Sequence, residues 1–255
     1  MERWSGRVVI VTGASSGIGA ALVERLVKCG VKVVGCARHI QPIENLCVKL
    51  NGENGSLLAV KCDVTNEDEV LSLIERTREH FGGVDVCINN AGVAHTATFL
   101  SGTTENWKDM TNVNIMGVAM VTREAVKDMR SRGVNDGHII NINSLSGHRV
   151  SGTSGPGLNF YRMTKYAMTA MTECIRGELR KMKTKIRISQ VSLGLTKTDI
   201  YQKIAGVSEE EAERYYSSRP HLGIGDIVDA VIYQLSAPPS VEVNDIIIRA
   251  TQQVA

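Results

Sequence analysis

An unbroken apolar and β-branched run, Val8-Val9-Ile10-Val11, leads straight into Thr12-Gly13-Ala14-Ser15-Ser16-Gly17-Ile18-Gly19. A run with no polar alternation belongs to a strand buried on both faces, and such a strand needs helices on each side. The glycines have separate mechanical jobs: Gly13 permits a tight turn, Gly17 lets backbone approach a ligand, and Gly19 lets the next helix pack against the strand. Ile18, Leu22, Leu26 and Val27 fall on one face of that helix, which Gly30 closes. The unit then recurs. Strand-like runs at residues 31–37, 57–62, 84–89, 138–143, 186–193 and 245–248 are spaced by helical stretches such as 67–81 and 112–130. The alternation predicts an α/β fold, a Rossmann-type doubly wound parallel sheet of about seven strands with helices on both faces.

With 255 residues and no repeat, low-complexity tract or linker, residues 1–255 are expected to form one domain. Two stretches break the rhythm: residues 147–159, rich in Gly and Ser, and 194–222, polar and charged. Loops of that length inside a compact domain are usually functional, and 194–222 is read as the substrate loop. The net charge of +2 comes from interspersed residues, which leaves no footprint for nucleic acid or an anionic membrane. The six cysteines (29, 36, 47, 62, 87 and 174) form no CxxC pair, and several lie in strand-like runs. That pattern predicts buried reduced thiols and a cytoplasmic location. Neither a signal-peptide core nor a bilayer-spanning run is present, and the ending Gln252-Gln253-Val254-Ala255 matches no retention or peroxisomal address.

The glycine turn is read as a pyrophosphate cradle, in which free amides across Ser15, Ser16, Gly17, Ile18 and Gly19 and the positive helix end face the phosphates. Its spacing departs from G-x-G-x-x-G, so an ordinary Gly-rich turn is the competing account. A carboxylate at the end of the second strand would hold a ribose 2′-hydroxyl. Here that strand ends Gly35-Cys36-Ala37-Arg38-His39, and no acid follows before Glu44. An Arg can fork onto a 2′-phosphate instead, and two unit charges about 4 Å apart interact by about 4 kcal/mol at an effective dielectric near 20. Arg38 and His39 therefore predict NADP(H), against the plainer account of a solvated surface Arg. Asp63, with Val64 beside it, stands where a third strand ends and is read as accepting from the adenine amine. A helix N-cap is its alternative, for which Thr65 and Asn66 are better placed. Asn90, Ala91 and Gly92 close the fourth strand, where small residues allow backbone contact with the cofactor and Asn side chains stiffen the turn.

Tyr161 and Lys165 are four apart, so on a helix they share a face. A free phenol titrates near pH 10; lowering that by about 2–3 units needs about 3–4 kcal/mol, which an ammonium plus a nicotinamide charge would supply. Lys165 is also read as holding the ribose. Ser144 closes the fifth strand, at the edge where open α/β sheets bind ligands, and its hydroxyl would hold a substrate oxygen while Tyr161 exchanges the proton. Asn114 would anchor a water that relays protons to Lys165. Each match alone is weak; together and in order they describe a nicotinamide-dependent oxidoreductase.

Thr12 to Gly19, Asp63, Asn89 to Gly92, Asn114, Ser144, Tyr161 and Lys165 together resemble the short-chain dehydrogenase/reductase family, over most of the chain. The resemblance implies a seven-stranded sheet, a Ser–Tyr–Lys centre assisted by Asn, cofactor contacts at Thr196 and Thr198, and a homodimer or homotetramer built through the helices bearing Asn114 and Tyr161. Met1-Glu2-Arg3-Trp4, Val34-Gly35-Cys36-Ala37-Arg38, residues 136–144 and Ser146-Gly147-His148-Arg149-Val150 resemble more narrowly a subgroup with the dehydrogenase/reductase member eleven proteins and insect farnesol dehydrogenase-like enzymes. That subgroup implies NADP(H) and a small hydrophobic alcohol, aldehyde or ketone as substrate. One departure is clear. The family usually writes Pro-Gly-x-Val-x-Thr after the sixth strand, and this chain has Leu193-Gly194-Leu195-Thr196-Lys197-Thr198.

Met163, Ala167, Ala170, Met171 and Cys174 form a stripe that is taken as buried rather than as a dimer face. Residues 209–213 are read as a solvated helix face, while Ile200, Tyr201, Ile204, Tyr215 and Tyr216 are candidates to line a hydrophobic cleft. His95 and His148 lack ligand spacing, so no metal is expected. The leading expectation is an NADP(H)-dependent enzyme interconverting a hydrophobic alcohol, first an isoprenoid such as farnesol, and its carbonyl. A carbonyl or ketosteroid reductase and a non-catalytic NADPH-binding regulatory protein are the alternatives.

Overall fold

The computed structural model describes residues 1–150 and 157–253. Its strands are β1 (Val8–Thr12), β2 (Lys32–Ala37), β3 (Ser56–Lys61), β4 (Val86–Asn89), β5 (His138–Ser144), β6 (Arg187–Leu193) and β7 (Asp245–Ile248). They form one seven-stranded sheet in the order β3-β2-β1-β4-β5-β6-β7, and every pairing is parallel. The order reverses between β1 and β4, which opens a crevice beyond the carboxyl ends of the strands. The expected sheet is present.

Nine helices among the described residues cover it: α1 (Gly17–Lys28), α2 (Gln41–Lys49), α3 (Glu67–Phe81), α4 (Thr104–Thr111), α5 (Val118–Ser131), α6 (Asn159–Lys181), α7 (Ile200–Ala205), α8 (Glu209–Ser217) and α9 (Ile224–Ser236). The apolar run of β1 shows why both faces need cover. Val9 and Val11 pack with Leu22, Leu26, Val231 and Leu235 of α1 and α9. Val8 and Ile10 face the opposite core, with Leu73 and Ile74 of α3 and Val121 and Met129 of α5. At about 1.5–3 kcal/mol for each such side chain removed from water, the two cores fix the strand ends that build the cleft. Trp4, in a short 3-10 turn, is fully buried and donates from its indole nitrogen to the Leu235 carbonyl at 2.7 Å, which seals the end of α9.

Three expectations change in the structure. Residues 112–130 do not form one regular helix: a π-helical segment, Asn112–Gly117, joins α4 to α5. The stretch 194–222 is not mainly loop but carries α7 and α8. Ser208 accepts from the Glu211 amide and Glu211 returns the bond, a capping box that starts α8. The stripe on α6 is not buried: Ala170 and Cys174 are exposed and Met163, Ala167 and Met171 only half-buried. The buried face of α6 is instead partly polar, with Thr164, Lys165, Met168, Thr172 and Arg176. The physical reason lies in β5, whose buried Asn141 and Asn143 donate to Thr172 and Thr169 at 2.9 Å each; a helix against buried amides must answer them with hydroxyls. Residues 151–156 of the Gly/Ser-rich stretch, and Val254 and Ala255 of the chain's last four, lie outside the described residues.

Candidate active site

The strand ends open on a cleft of about 520 Å³. At its β1 end Gly13 has φ +66, and a Cβ there would come within 2.9 Å of the Ala91 Cα. A Cβ on Gly19 would overlap the Gly13 carbonyl oxygen, so helix and turn can approach this closely only with glycine. Ser16 caps α1 without a side-chain bond, which leaves the first-turn amides open toward the cleft, as a helix start must where no side chain closes it. The turn is braced from β4. Asn90 donates through Nδ2 to the Thr12 and Gly13 carbonyls at 2.9 and 3.1 Å, while the Thr12 hydroxyl accepts from the Asn90 and Ala91 amides at 3.0 Å each.

Gly13, Ser15, Ser16, Gly17, Ile18, Arg38, His39, Asp63, Val64, Asn90, Ala91, Gly92, Thr196 and Thr198 all line this cleft. Gly19 and Asn114 are not lining residues but support those that are. Arg38 and His39 are exposed at the end of β2, and neither has an ion-pair partner among the described residues. Open amides on glycines at one point and an uncompensated guanidinium at the next fit a dinucleotide with a phosphorylated ribose. Asp63 holds the Thr65 amide and hydroxyl on Oδ1 at 2.9 and 2.8 Å. The helix cap is Asn66, which accepts from the Asp68 and Glu69 amides. Asp63 thus keeps its place at the cleft with one oxygen committed to the loop.

At the other end stand Ser144, Tyr161 and Lys165, all lining the cleft. Ser144 accepts from the Ser146 amide at 3.1 Å, and its hydroxyl faces the same cleft as Tyr161, near enough to draw the phenol's pKa down against burial. Lys165 is buried and donates from Nζ to the Ile142 carbonyl at 3.0 Å. The lowered Tyr161 pKa expected above needs a nicotinamide charge as well as an ammonium, and burial in the protein acts the other way. Burial pushes the phenol up to about 12, only partly offset by Ser144, and burial brings Lys165 down to about 8. The cause is that Lys165 is turned to the strand carbonyl, so the protein's own charges do not reach the phenol strongly enough to overcome desolvation.

Asn114 is fully buried, and both of its amide hydrogens are engaged. Oδ1 accepts from Val93 N at 2.9 Å, and Nδ2 donates to Val93 O at 2.8 Å and Thr164 Oγ1 at 3.1 Å. It therefore fastens the chain leaving β4 to α6, one residue from Lys165; its side chain has no proton left for a water. Thr198 stands over Gly17, with methyl carbon 3.8 Å from where a Cβ would be, and its carbonyl accepts from the Tyr216 hydroxyl at 3.0 Å. Ile200, Tyr201, Ile204, Tyr215 and Tyr216 form an apolar wall of the cleft, with Tyr201 stacked on Tyr215 at 3.6 Å.

His148 Nε2 lies 2.8 Å from Ser192 Oγ and 3.1 Å from an Asp245 oxygen, tying the turn after Ser144 to β6 and β7. His95 pairs with Asp109 at 2.6 Å. Among the described residues no group of three His, Cys, Asp or Glu side chains is placed to hold a metal ion. Sequence reasoning missed the Ile142 carbonyl and Gln253, which also lines the cleft. A backbone acceptor leaves no trace in residue type, and a Gln beyond the last strand has no motif around it.

The model of the short chain dehydrogenase family matches residues 7–207. Dehydrogenase/reductase SDR family member 11 of Gallus gallus is 49% identical over 257 residues, covering 100% of both chains. Farnesol dehydrogenase of Aedes aegypti is 38% identical over 256 residues, covering 98% of each. Among solved structures, the closed form of serine dehydrogenase complexed with NADP+ matches with a TM-score of 0.87 at 26% identity, over 97% of this chain and 96% of that one.

Proposed function

The chain belongs to the short chain dehydrogenase family of oxidoreductases, and from that premise we propose an NADP(H)-dependent enzyme that interconverts a hydrophobic alcohol and its aldehyde or ketone. Hydride exchange at the carbinol carbon is the chemistry a bound nicotinamide supplies. The chain's own residues do the rest. The open amides from Ser15 to Gly19 receive the pyrophosphate, Asp63 and Val64 face the adenine, and Arg38 with His39 meets the 2′-phosphate. Asn90, Ala91, Gly92, Thr196 and Thr198 shape the wall beside the nicotinamide ribose, which Lys165 holds. Ser144 donates to the substrate oxygen, and Tyr161 passes the proton to or from it. With both Asn114 amide hydrogens spent on Val93 and Thr164, a water in a relay to Lys165 donates to the Asn114 oxygen or meets backbone.

The observation that carries this reading is the Ser144–Tyr161 hydroxyl pair at the end of a cleft whose outer wall is Ile200, Tyr201, Ile204 and Tyr215. A polar pair beneath an apolar wall suits one oxygen on a greasy body. Farnesol is the first candidate, supported by the 38% identity to the Aedes aegypti enzyme. The domain spans residues 1–255, with 194–222, which carries α7 and α8, as its substrate-facing segment. A cytoplasmic location is part of this reading, supported by six unpaired cysteines, of which Cys36, Cys62 and Cys87 are buried. A homodimer or homotetramer through the helical segments bearing Asn114 and Tyr161 is supported by Met116 and Tyr166 on those segments, 49% and 40% exposed.

The test is the cofactor's absorbance change with farnesol, simple aldehydes and ketosteroids, with NADP(H) and NAD(H) in parallel. Turnover of farnesol with NADP+ supports the reading. Reduction of ketones alone moves it to the carbonyl reductase, and NADPH binding with no turnover moves it to the regulatory protein.

A further inference from the structure

The turn that follows β6 has one side-chain bond of its own, from the Thr196 hydroxyl to the Gly194 carbonyl at 3.1 Å, and is otherwise held by distant parts of the chain. Leu193 pairs with Ser144 on one side and with Ile248 on the other, so the next residues emerge beside the proton-transfer pair. Leu193, Gly194, Leu195 and Thr196 all line the cleft. The turn has no proline to limit it, and Gly194 has the widest backbone freedom of any residue. Its shape therefore depends on what it is bonded to. Gly194 N donates to the Ile248 carbonyl at 2.8 Å, and the Leu195 carbonyl accepts from Leu222 N at 2.8 Å. The Leu195 N–H donates to the Gln253 side-chain oxygen at 3.1 Å, across 58 residues of sequence.

Gln253 is built into this place. Its own amide donates to the Ala250 carbonyl at 2.9 Å, which sets the base of the side chain. A Cβ on Gly194 would overlap the Gln253 oxygen and come within 2.9 Å of the Arg249 Cβ. Glycine at 194 and glutamine at 253 thus fit each other, and Gln253 itself faces the cleft.

We propose that Gln253 is a positioning residue for the cofactor: its side-chain oxygen fixes the Leu195 amide and so sets the backbone wall against which the nicotinamide end is held. This rests on the nicotinamide-dependent reading above. Gln253 does not touch the reacting atoms; it acts through the turn.

Two variants test it. Gln253→Met keeps the length of the side chain and removes the acceptor, while Gln253→Glu retains an acceptor oxygen. Wild type and both variants are compared for NADPH dissociation constant by nicotinamide fluorescence, for kcat and KM of cofactor and of substrate, and for cofactor-free Tm. Losing one hydrogen bond corresponds to about tenfold in an equilibrium. Gln253→Met is expected to raise the NADPH dissociation constant and cofactor KM by about that factor, with substrate KM and cofactor-free Tm little changed, and Gln253→Glu to recover most of the loss. Unchanged cofactor binding in Gln253→Met overturns the proposal. So does a loss that Gln253→Glu shares, or one accompanied by a large fall in Tm, since those describe packing alone. A wild-type protein that binds no nicotinamide cofactor overturns the functional reading and this proposal together, so the two failures are told apart by the wild-type measurement.

Discussion

Lys165 donates to the Ile142 carbonyl across 3.0 Å, and its Nζ stands 5.7 Å from the ring centre of Tyr161 one helical turn earlier. The ammonium is thus tied to the strand beneath it. Burial disfavours the charged form of each group, which holds Lys165 near 8 and Tyr161 near 12. The resting site is one in which both groups prefer neutrality.

That preference gives a stability profile with pH. The Lys165 pKa is lower in the folded protein than in the unfolded chain, so between pH 8 and 10.5 the unfolded chain binds more protons and stability rises. Below pH 8 the buried charge costs about 3 kcal/mol. Lys165→Met is expected to be more stable than wild type at pH 7 in the cofactor-free protein, with the advantage gone by about pH 10.5. Urea midpoints of the two proteins across that range check it; a constant difference would contradict it. Tyr161 acts in the opposite sense above pH 10, because its folded pKa lies near 12.

Tyr161→Phe removes one oxygen and leaves the ring. Positioned proton transfer contributes about 10²- to 10⁴-fold, so kcat is expected to fall by at least about a hundredfold while NADPH affinity stays within about threefold. Steady-state kinetics beside a fluorescence titration separates the two. Activity that survived would sink the assignment of Tyr161 as proton donor and acceptor.

Arg38→Glu reverses the charge proposed to meet the ribose 2′-phosphate. The expected outcome is a fall in kcat/KM for NADP+ of about a hundredfold, close to 3 kcal/mol, and a rise for NAD+, whose 2′-hydroxyl a carboxylate can accept. Cofactor kinetics with both nucleotides decide it. Equal effects on the two would return Arg38 to an ordinary surface residue.

Gly19→Ala places a methyl group against the Gly13 carbonyl and the Asn90 side-chain nitrogen. Overpacking at such a site costs about 1–3 kcal/mol, and the displaced parts are the phosphate turn itself. A lower Tm is expected together with weaker binding of NADP(H). Gly177→Ala is the matched control, because nothing lies within 4 Å of a Cβ at Gly177; it should leave binding alone.

The strands were legible because each is an apolar run between turn residues, and the sheet's parallel order followed from helices lying between them. Residues 67–81 were legible as a helix for a further reason: Asn66 caps its start and Gly82 closes it in the left-handed region. The π-helical segment Asn112–Gly117 was not legible, since no residue type there marks one extra residue in a turn. The α6 stripe misled because apolar periodicity names a face without saying what lies opposite, and β5 presents buried amides there. At the site, Ser144, Tyr161 and Lys165 were readable from spacing and strand ends. The direction of the Lys165 hydrogen bond was not, because its partner is a carbonyl that every residue owns.

The brace on the glycine turn has a consequence for how the protein comes into being and how long it lasts. Asn90 reaches back 77 residues to Gly13, so the braced turn is a long-range object whose closure costs loop entropy. A chain without that brace lacks the shaped turn, so a dinucleotide bound as proposed above would favour the finished fold. Mass action then adds about 2.7 kcal/mol of stability at a hundredfold excess over the dissociation constant. The lifetime of this protein in a cell should accordingly rise and fall with the supply of its nucleotide, through protection of the folded chain from proteolysis and apart from any effect on catalysis.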